Sequence, residues 1–259
     1  MNAFTIAEWL IAHNDAVMKY NSADELSNLK IQKLLYYVQG CSLASLGKAM
    51  FEEDIIAWKH GPVVESVYQK YHQYGRSGIT DIPEYPVLEE ETELLLINTY
   101  NAFAKFSAWE LANLTHTEDP WKYTRLNEVM SLTLIKNYFL VHYPNINEKN
   151  EMTDNVRFLY DIARYKENWD EEDGLPFDAH FIREIIDLIS TMKVQPDIGP
   201  TGRGSIDLEY GSLRQGQKYL GLEIFEKDRS VHLFSKDKAG RTTEEIIGME
   251  DINGRIQQF

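Results

Sequence analysis

Apolar residues recur at helical spacing through the first half of the chain, and the polar punctuation between them sets the element ends. Ala7, Leu10, Ile11 and Val17-Met18 form one set, opened by Thr5-Ile6-Ala7-Glu8, which has the form of a capping box. Ser22-Ala23-Asp24-Glu25 has the same form and announces a helix over 29–46. Ile31, Leu34, Leu35, Val38, Cys41 and Leu43 give that helix a wide apolar stripe, and Gly47 stops it. Met50 to Trp58 is too short and too β-branched for another helix and reads as a small strand or ribbon. Gly61-Pro62 interrupts it, and Pro62 suits the first turn of a helix reaching Gln73. Residues 75–86 read as a loop, and 89–105 and 131–142 as helices. Between those two, Ser107-Ala108-Trp109-Glu110 caps a short helix ending before Thr115-His116, and Asp119-Pro120-Trp121 reads as a turn.

The pattern changes after a polar stretch at 145–153, which reads as a linker. Helices are expected at 155–167 and at 179–193, the second capped by Asp178 and apolar along Phe181, Ile182, Ile185, Ile186 and Ile189. Period-two alternation then marks 205–210, 219–225 and 230–234 as antiparallel strands, with Lys227-Asp228-Arg229 as a hairpin turn. Glu244 to Ile247 adds an edge strand, and 249–259 a closing helix. The expected fold class is a mainly α N-terminal domain (1–145) with a small β insertion, then an α+β domain (153–259) with an antiparallel sheet of three to four strands.

Composition narrows the partners. The 259 residues carry 41 acidic against 26 basic side chains, a formal charge of −15 spread over both halves. Such a chain repels phosphate backbones unless a local basic patch exists, and Lys30 with Lys33 is too little. Direct nucleic-acid binding is therefore not expected. A single cysteine, Cys41, rules out an intrachain disulfide and any multi-cysteine zinc site. No basic n-region with an apolar run opens the chain and no long apolar segment follows, so the expected location is the cytoplasm, with no membrane partner.

The residues that invite chemistry form no convergent set. The seven histidines show no HExxH and no pairing on one helix face, and no cofactor or metal is expected. Gly199 to Gly204 is glycine-rich but leads into a strand, which suits a flexible lead-in better than a phosphate loop. Asp170-Glu171-Glu172-Asp173-Gly174 resembles part of a calcium loop. It has His180 where the bidentate glutamate belongs, so a solvated acidic turn is the better reading. At the corner 58–62, Trp58, Gly61 and Pro62 read as fold-building residues. Lys59 and His60, with Tyr36, Tyr37 and Tyr68, stay open as a recognition surface. His116 has Glu118 and Asp119 as candidate partners and reads as a satisfied structural histidine or a general base.

Several separated motifs carry a resemblance. Leu29 to Tyr37, Phe51 to Ile55, Ala57-Trp58-Lys59-His60-Gly61-Pro62-Val63-Val64, Val67-Tyr68, Leu114-Thr115-His116 and Pro120-Trp121 occur in order over residues 3–142. They resemble the Panacea domain of SocA-like and GepA-like antitoxins. The resemblance implies a type II antitoxin, bacterial or phage-borne, that neutralises a toxin encoded nearby by direct protein contact. It implies no catalytic residues, and Tyr36, Tyr37, Lys59, His60, Tyr68 and His116 become candidates for toxin binding. Trp58, Gly61, Pro62 and Trp121 become its structural motif. In one branch of the family the antitoxin is an adaptor delivering its toxin to a ClpXP-type protease, so that function is the alternative expectation. A His-dependent enzyme is a third.

Overall fold

The computed structural model describes residues 1–20, 23–144, 146, 150–170 and 173–259. The chain forms two compact units: Met1–Met18 with Ala23–Glu148, and Lys19–Ser22 with Lys149–Phe259. The linker expected at 145–153 falls partly outside the described residues, as do Ser22 of the second capping box and Glu171 and Glu172 of the acidic turn.

The first unit is built around one helix. Its elements are α1 (Ala3–Met18), α2 (Asn28–Ser45), β1 (Ile56–Trp58), β2 (Gly61–Val63), α3 (Glu65–Tyr71), α4 (Glu90–Phe103), α5 (Ala108–Thr117), α6 (Asp119–Lys122) and α7 (Leu132–His142). Helix α2 contacts α1, α3, α4, α5, α7 and β2. An amphipathic helix was the expectation from its apolar stripe, but every residue from Ile31 to Leu43 is buried, Gln32, Lys33, Gln39 and Ser42 included. A helix surrounded on all sides must satisfy its polar side chains internally, and these do so on the backbone of neighbouring segments. Gln39 accepts from Met50 N (2.8 Å) and Phe51 N (3.3 Å) and donates to Phe51 O (3.0 Å). Gln32 accepts from Val64 N at 2.8 Å, Lys33 Nζ donates to Pro62 O at 2.8 Å, and Asn28 donates to Tyr68 O at 3.0 Å. Gly40 permits the closest contact, since a Cβ there would overlap the Phe139 ring of α7.

Helix ends follow local chemistry, with some corrections to the expected ones. Asn2, and not the Thr5 box, caps α1, accepting from Thr5 N at 2.9 Å. Ser27 caps α2 through Lys30 N. The Ser107/Glu110 capping box is present, and α5 runs on through Thr115 and His116. Asp119-Pro120-Trp121, read as a turn, is the short helix α6, with Pro in its first turn where its missing N–H costs nothing.

The second unit contains α8 (Glu151–Ile162), α9 (Ala179–Ser190), β3 (Asp197–Thr201), β4 (Ser205–Gly211), β5 (Tyr219–Phe225), β6 (Val231–Lys236), β7 (Thr242–Ile247) and α10 (Ile252–Gln258). The strands form an antiparallel meander in the order β3-β4-β5-β6-β7. That is one strand more than expected. The glycine-rich lead-in is the edge strand β3, where Gly199 pairs with Asp207 and Pro200 lies on the sheet margin, the place a residue without N–H fits. Rows such as Ile206–Ile224–Val231 and Leu208–Leu222–Leu233 are buried, as are Val156 and Leu159 of α8 and Phe181, Ile185 and Ile189 of α9. Together they form the core of this unit. Asp178 caps α9 through His180 N and Phe181 N. Around the acidic segment, Asp170 accepts from Gly174 N at 2.7 Å and Asn168 from Asp173 N at 3.0 Å. Lys19 and Tyr20 belong to this unit, with Tyr20 O accepting from Asn253 Nδ2 at 2.9 Å.

Candidate partner-binding surface

The corner at 58–62 is a β-hairpin. Ile56 pairs with Val63, Ala57 with Pro62 and Trp58 with Gly61, leaving Lys59 and His60 as the exposed two-residue tip. Pro62 therefore lies in a strand, not at a helix start, and α3 begins three residues later. The reason is tertiary: Pro62 O and Val64 N are both held by side chains of α2, which keeps this stretch extended. Segment 127–130 lines the hairpin's outer edge through Ala57 N to Glu128 O (3.0 Å) and Met130 N to Ile55 O (2.8 Å).

Gly61 is required twice. Its φ of +99° strains any L side chain, and a Cβ would lie 2.7 Å from Thr115 Oγ1 and 2.8 Å from Lys33 Nζ. Lys33 is fully buried beneath it, and desolvation lowers its pKa to about 7.

The tyrosines expected on the surface are interior. Tyr36 and Tyr37 are both 0% exposed, and their hydroxyls donate to Glu118 at 2.7 and 3.0 Å. Tyr143 donates to the same carboxylate at 2.8 Å. Burial raises the Glu118 pKa, and the three hydroxyl donors pull it back. Glu118 thus ties α2, the α5–α6 junction and the end of α7 together. In the sequence Glu118 stands out only as a possible partner for His116. Its spacing from Tyr36, Tyr37 and Tyr143 gives no one-dimensional signal.

His116 instead leans on Trp121, with ring centroids 4.1 Å apart, and its Nε2 is buried without a hydrogen-bond partner. Burial, then the nearby Lys33 and His60, lowers its pKa, so the neutral ring is favoured. Trp121 Nε1 donates to Trp58 O at 3.0 Å, which fixes the hairpin to α6. Trp58 is half-buried and meets Tyr68 edge-on at 5.0 Å. At the tip, His60 meets Trp109 of α5 edge-on at 5.7 Å.

The outcome is a continuous patch in which Lys59, His60, Tyr68 and Trp109 face outward while Trp58, His116 and Trp121 support them. Trp109 is 57% exposed, a large apolar area for a surface tryptophan. In the sequence Trp109 stands out only as part of a capping box. Among the described residues no group of His, Cys, Asp and Glu is placed to hold a metal ion, and no helix is long and apolar enough to cross a membrane.

The segment that forms this patch is also the one that matches a known family. Residues 31–122 match the family described as Antitoxin SocA-like, Panacea domain. The matched segment runs from α2 through α6, so it holds the hairpin, Glu118 and each of the patch residues. No curated protein and no solved structure matches the chain. In the matched segment the motif residues divide by position. Gln32, Lys33, Tyr36, Tyr37, Gly61 and Pro62 build the interior, while Lys59, His60 and Tyr68 are exposed.

Proposed function

We propose that this protein is the antitoxin of a toxin–antitoxin pair and neutralises its toxin by direct binding through the hairpin patch of the Panacea segment. The observation that carries the reading is the exposed ring cluster. Trp109 and Tyr68 stand beside a two-residue tip that carries His60, backed by Trp58 and Trp121. Large rings held in place lose little entropy on binding and are effective interface anchors. A patch of this kind would be the centre of an interface burying on the order of 1,600 Å². Tyr36 and Tyr37 act behind it, by holding Glu118 and the helix against which the hairpin packs. We assign no chemical step to the protein.

The adaptor reading shares the toxin contact and adds a second docking function. It is favoured by the division into two units, each with its own core.

The test is co-expression with the product of the adjacent gene. Growth rescue together with a stable complex in a pull-down is the expected result, and absence of both removes the proposal. Trp109→Ala should weaken that complex at least about 30-fold while leaving unfolding unchanged, the signature of an interface anchor. An unchanged complex would move the interface elsewhere.

A further inference from the structure

The sheet of the second unit buries one face and leaves the other open. The open face carries two cross-strand rows, Asp207–Glu223–His232–Ile246 and Glu209–Gly221–Phe234–Glu244. Gly221 supplies no side chain at the middle of the second row, and the Tyr219 ring folds toward it, held by its hydroxyl on Glu209 at 2.7 Å. Phe234 stands beside Tyr219 with centroids 5.9 Å apart. The resulting groove has a volume of about 530 Å³.

Its charge is one-sided. Arg203 pairs with Glu223 at 2.6 Å, and Arg255 with Glu245 at 2.8 Å. Among the described residues Asp207 and Glu244 have no ion-pair partner. Burial, then the charges of Glu223 and Glu209, pushes Asp207 up to about 6 against the pull of Arg203, so this field disfavours its own carboxylate. A cation from outside would relieve it. Aromatic walls beside carboxylates suit a guanidinium or ammonium group, which gains from both. Asp207 and Glu209 are also two residues apart on one strand, roughly 7 Å, the repeat at which an extended chain presents alternate side chains.

We infer that this open sheet face is a docking groove for an extended, basic protein segment. Alternate Lys or Arg side chains of that segment enter beside Tyr219 and Phe234 and meet Asp207 and Glu209. Phosphate-bearing ligands are repelled by the same charge. The inference is independent of the antitoxin reading, since it concerns the second unit alone.

The test uses the full chain and a fluorescein-labelled six-residue peptide of alternating arginine and alanine, followed by anisotropy. Saturable binding is expected, with the corresponding glutamate–alanine peptide giving none. The double variant Asp207→Asn/Glu209→Gln should weaken it at least about 10-fold, because two charges facing the ligand are lost. Glu52→Gln/Asp54→Asn removes the same charge from exposed positions of the other unit and should change it less than about twofold. Ile246→Lys places a cation on a 69% exposed rim position, which cannot disturb the core, and should weaken binding about fivefold or more. Equal losses in the two double variants would reduce the attraction to net charge and overturn the inference. So would undiminished binding by Ile246→Lys, or no saturable binding.

Discussion

In the first unit, buried polar side chains of α2 hold the backbone of neighbouring segments, whereas in the sheet of the second unit backbone pairs with backbone from strand to strand and the acidic side chains of β4 and β5 lie on the open face. Gln32, Lys33 and Gln39 each replace a hydrogen bond that a regular element would have supplied to residues 50–51 or 62–64. In the sheet the same need is met by the register of five strands. The first arrangement makes individual side chains indispensable. The second spreads stability over many equivalent pairs, so a single polar change on the open face has little to break.

The sharpest way to break this comparison is to remove one hub. Glu118→Ala strands three tyrosine hydroxyls in the interior and should cost about 3–5 kcal/mol, whereas Asp197→Ala on the edge of the sheet should cost less than about 0.5 kcal/mol. Urea unfolding of both variants checks this, and similar losses would erase the distinction. Gly61→Ala comes next. It combines a positive φ with contacts on Thr115 and Lys33, and about 2–4 kcal/mol of destabilisation is expected in the same measurement.

A smaller effect comes from Asp207, whose pKa in the folded chain, about 6, lies above the unfolded value of 3.8. The folded state then binds the proton more tightly than the unfolded one, so this group's contribution to stability falls as pH rises from about 4 to about 6 and stays low above that. After discounting for solvent screening, Asp207→Asn should gain on the order of 1 kcal/mol at pH 7.5 relative to wild type. The gain should vanish at pH 3.5. Unfolding curves at the two pH values check the sign, and a gain that grows on acidification would reverse it. Smallest of all, Lys59→Ala and His60→Ala should shift unfolding by less than about 0.5 kcal/mol each, because both side chains stand on an exposed tip. A larger loss would make the tip part of the fold rather than a surface kept for a partner.

Legibility differed between the units for the same physical reason. Strands β4, β5 and β6 and the cap of α9 were readable because alternation and capping are local, repeating signals. Strand β3 was missed because Gly199 and Pro200 weaken the local preference, and pairing with β4 overrides it. At the hairpin, Pro62 resembled a helix start and became a strand residue because Lys33 and Gln32, about thirty positions earlier in the chain, hold its surroundings extended. The candidate patch was half readable. The motif points to Lys59, His60 and Tyr68 but not to Trp109, and the inward direction of Tyr36 and Tyr37 cannot be judged from residue type.

The sequence by itself determined the helical first half, the small extended insertion, the antiparallel second half and the likeness to Panacea antitoxins, because each is carried by local periodicity or by motif order. Only the tertiary structure decided which motif residues are inside. Burial depends on what packs around a helix, and α2 is covered on every side from Ile31 to Leu43, so Gln32, Lys33, Tyr36, Tyr37 and Gln39 turn inward to satisfy the backbone and Glu118. What they leave exposed is the tip that they hold in place, Lys59 and His60.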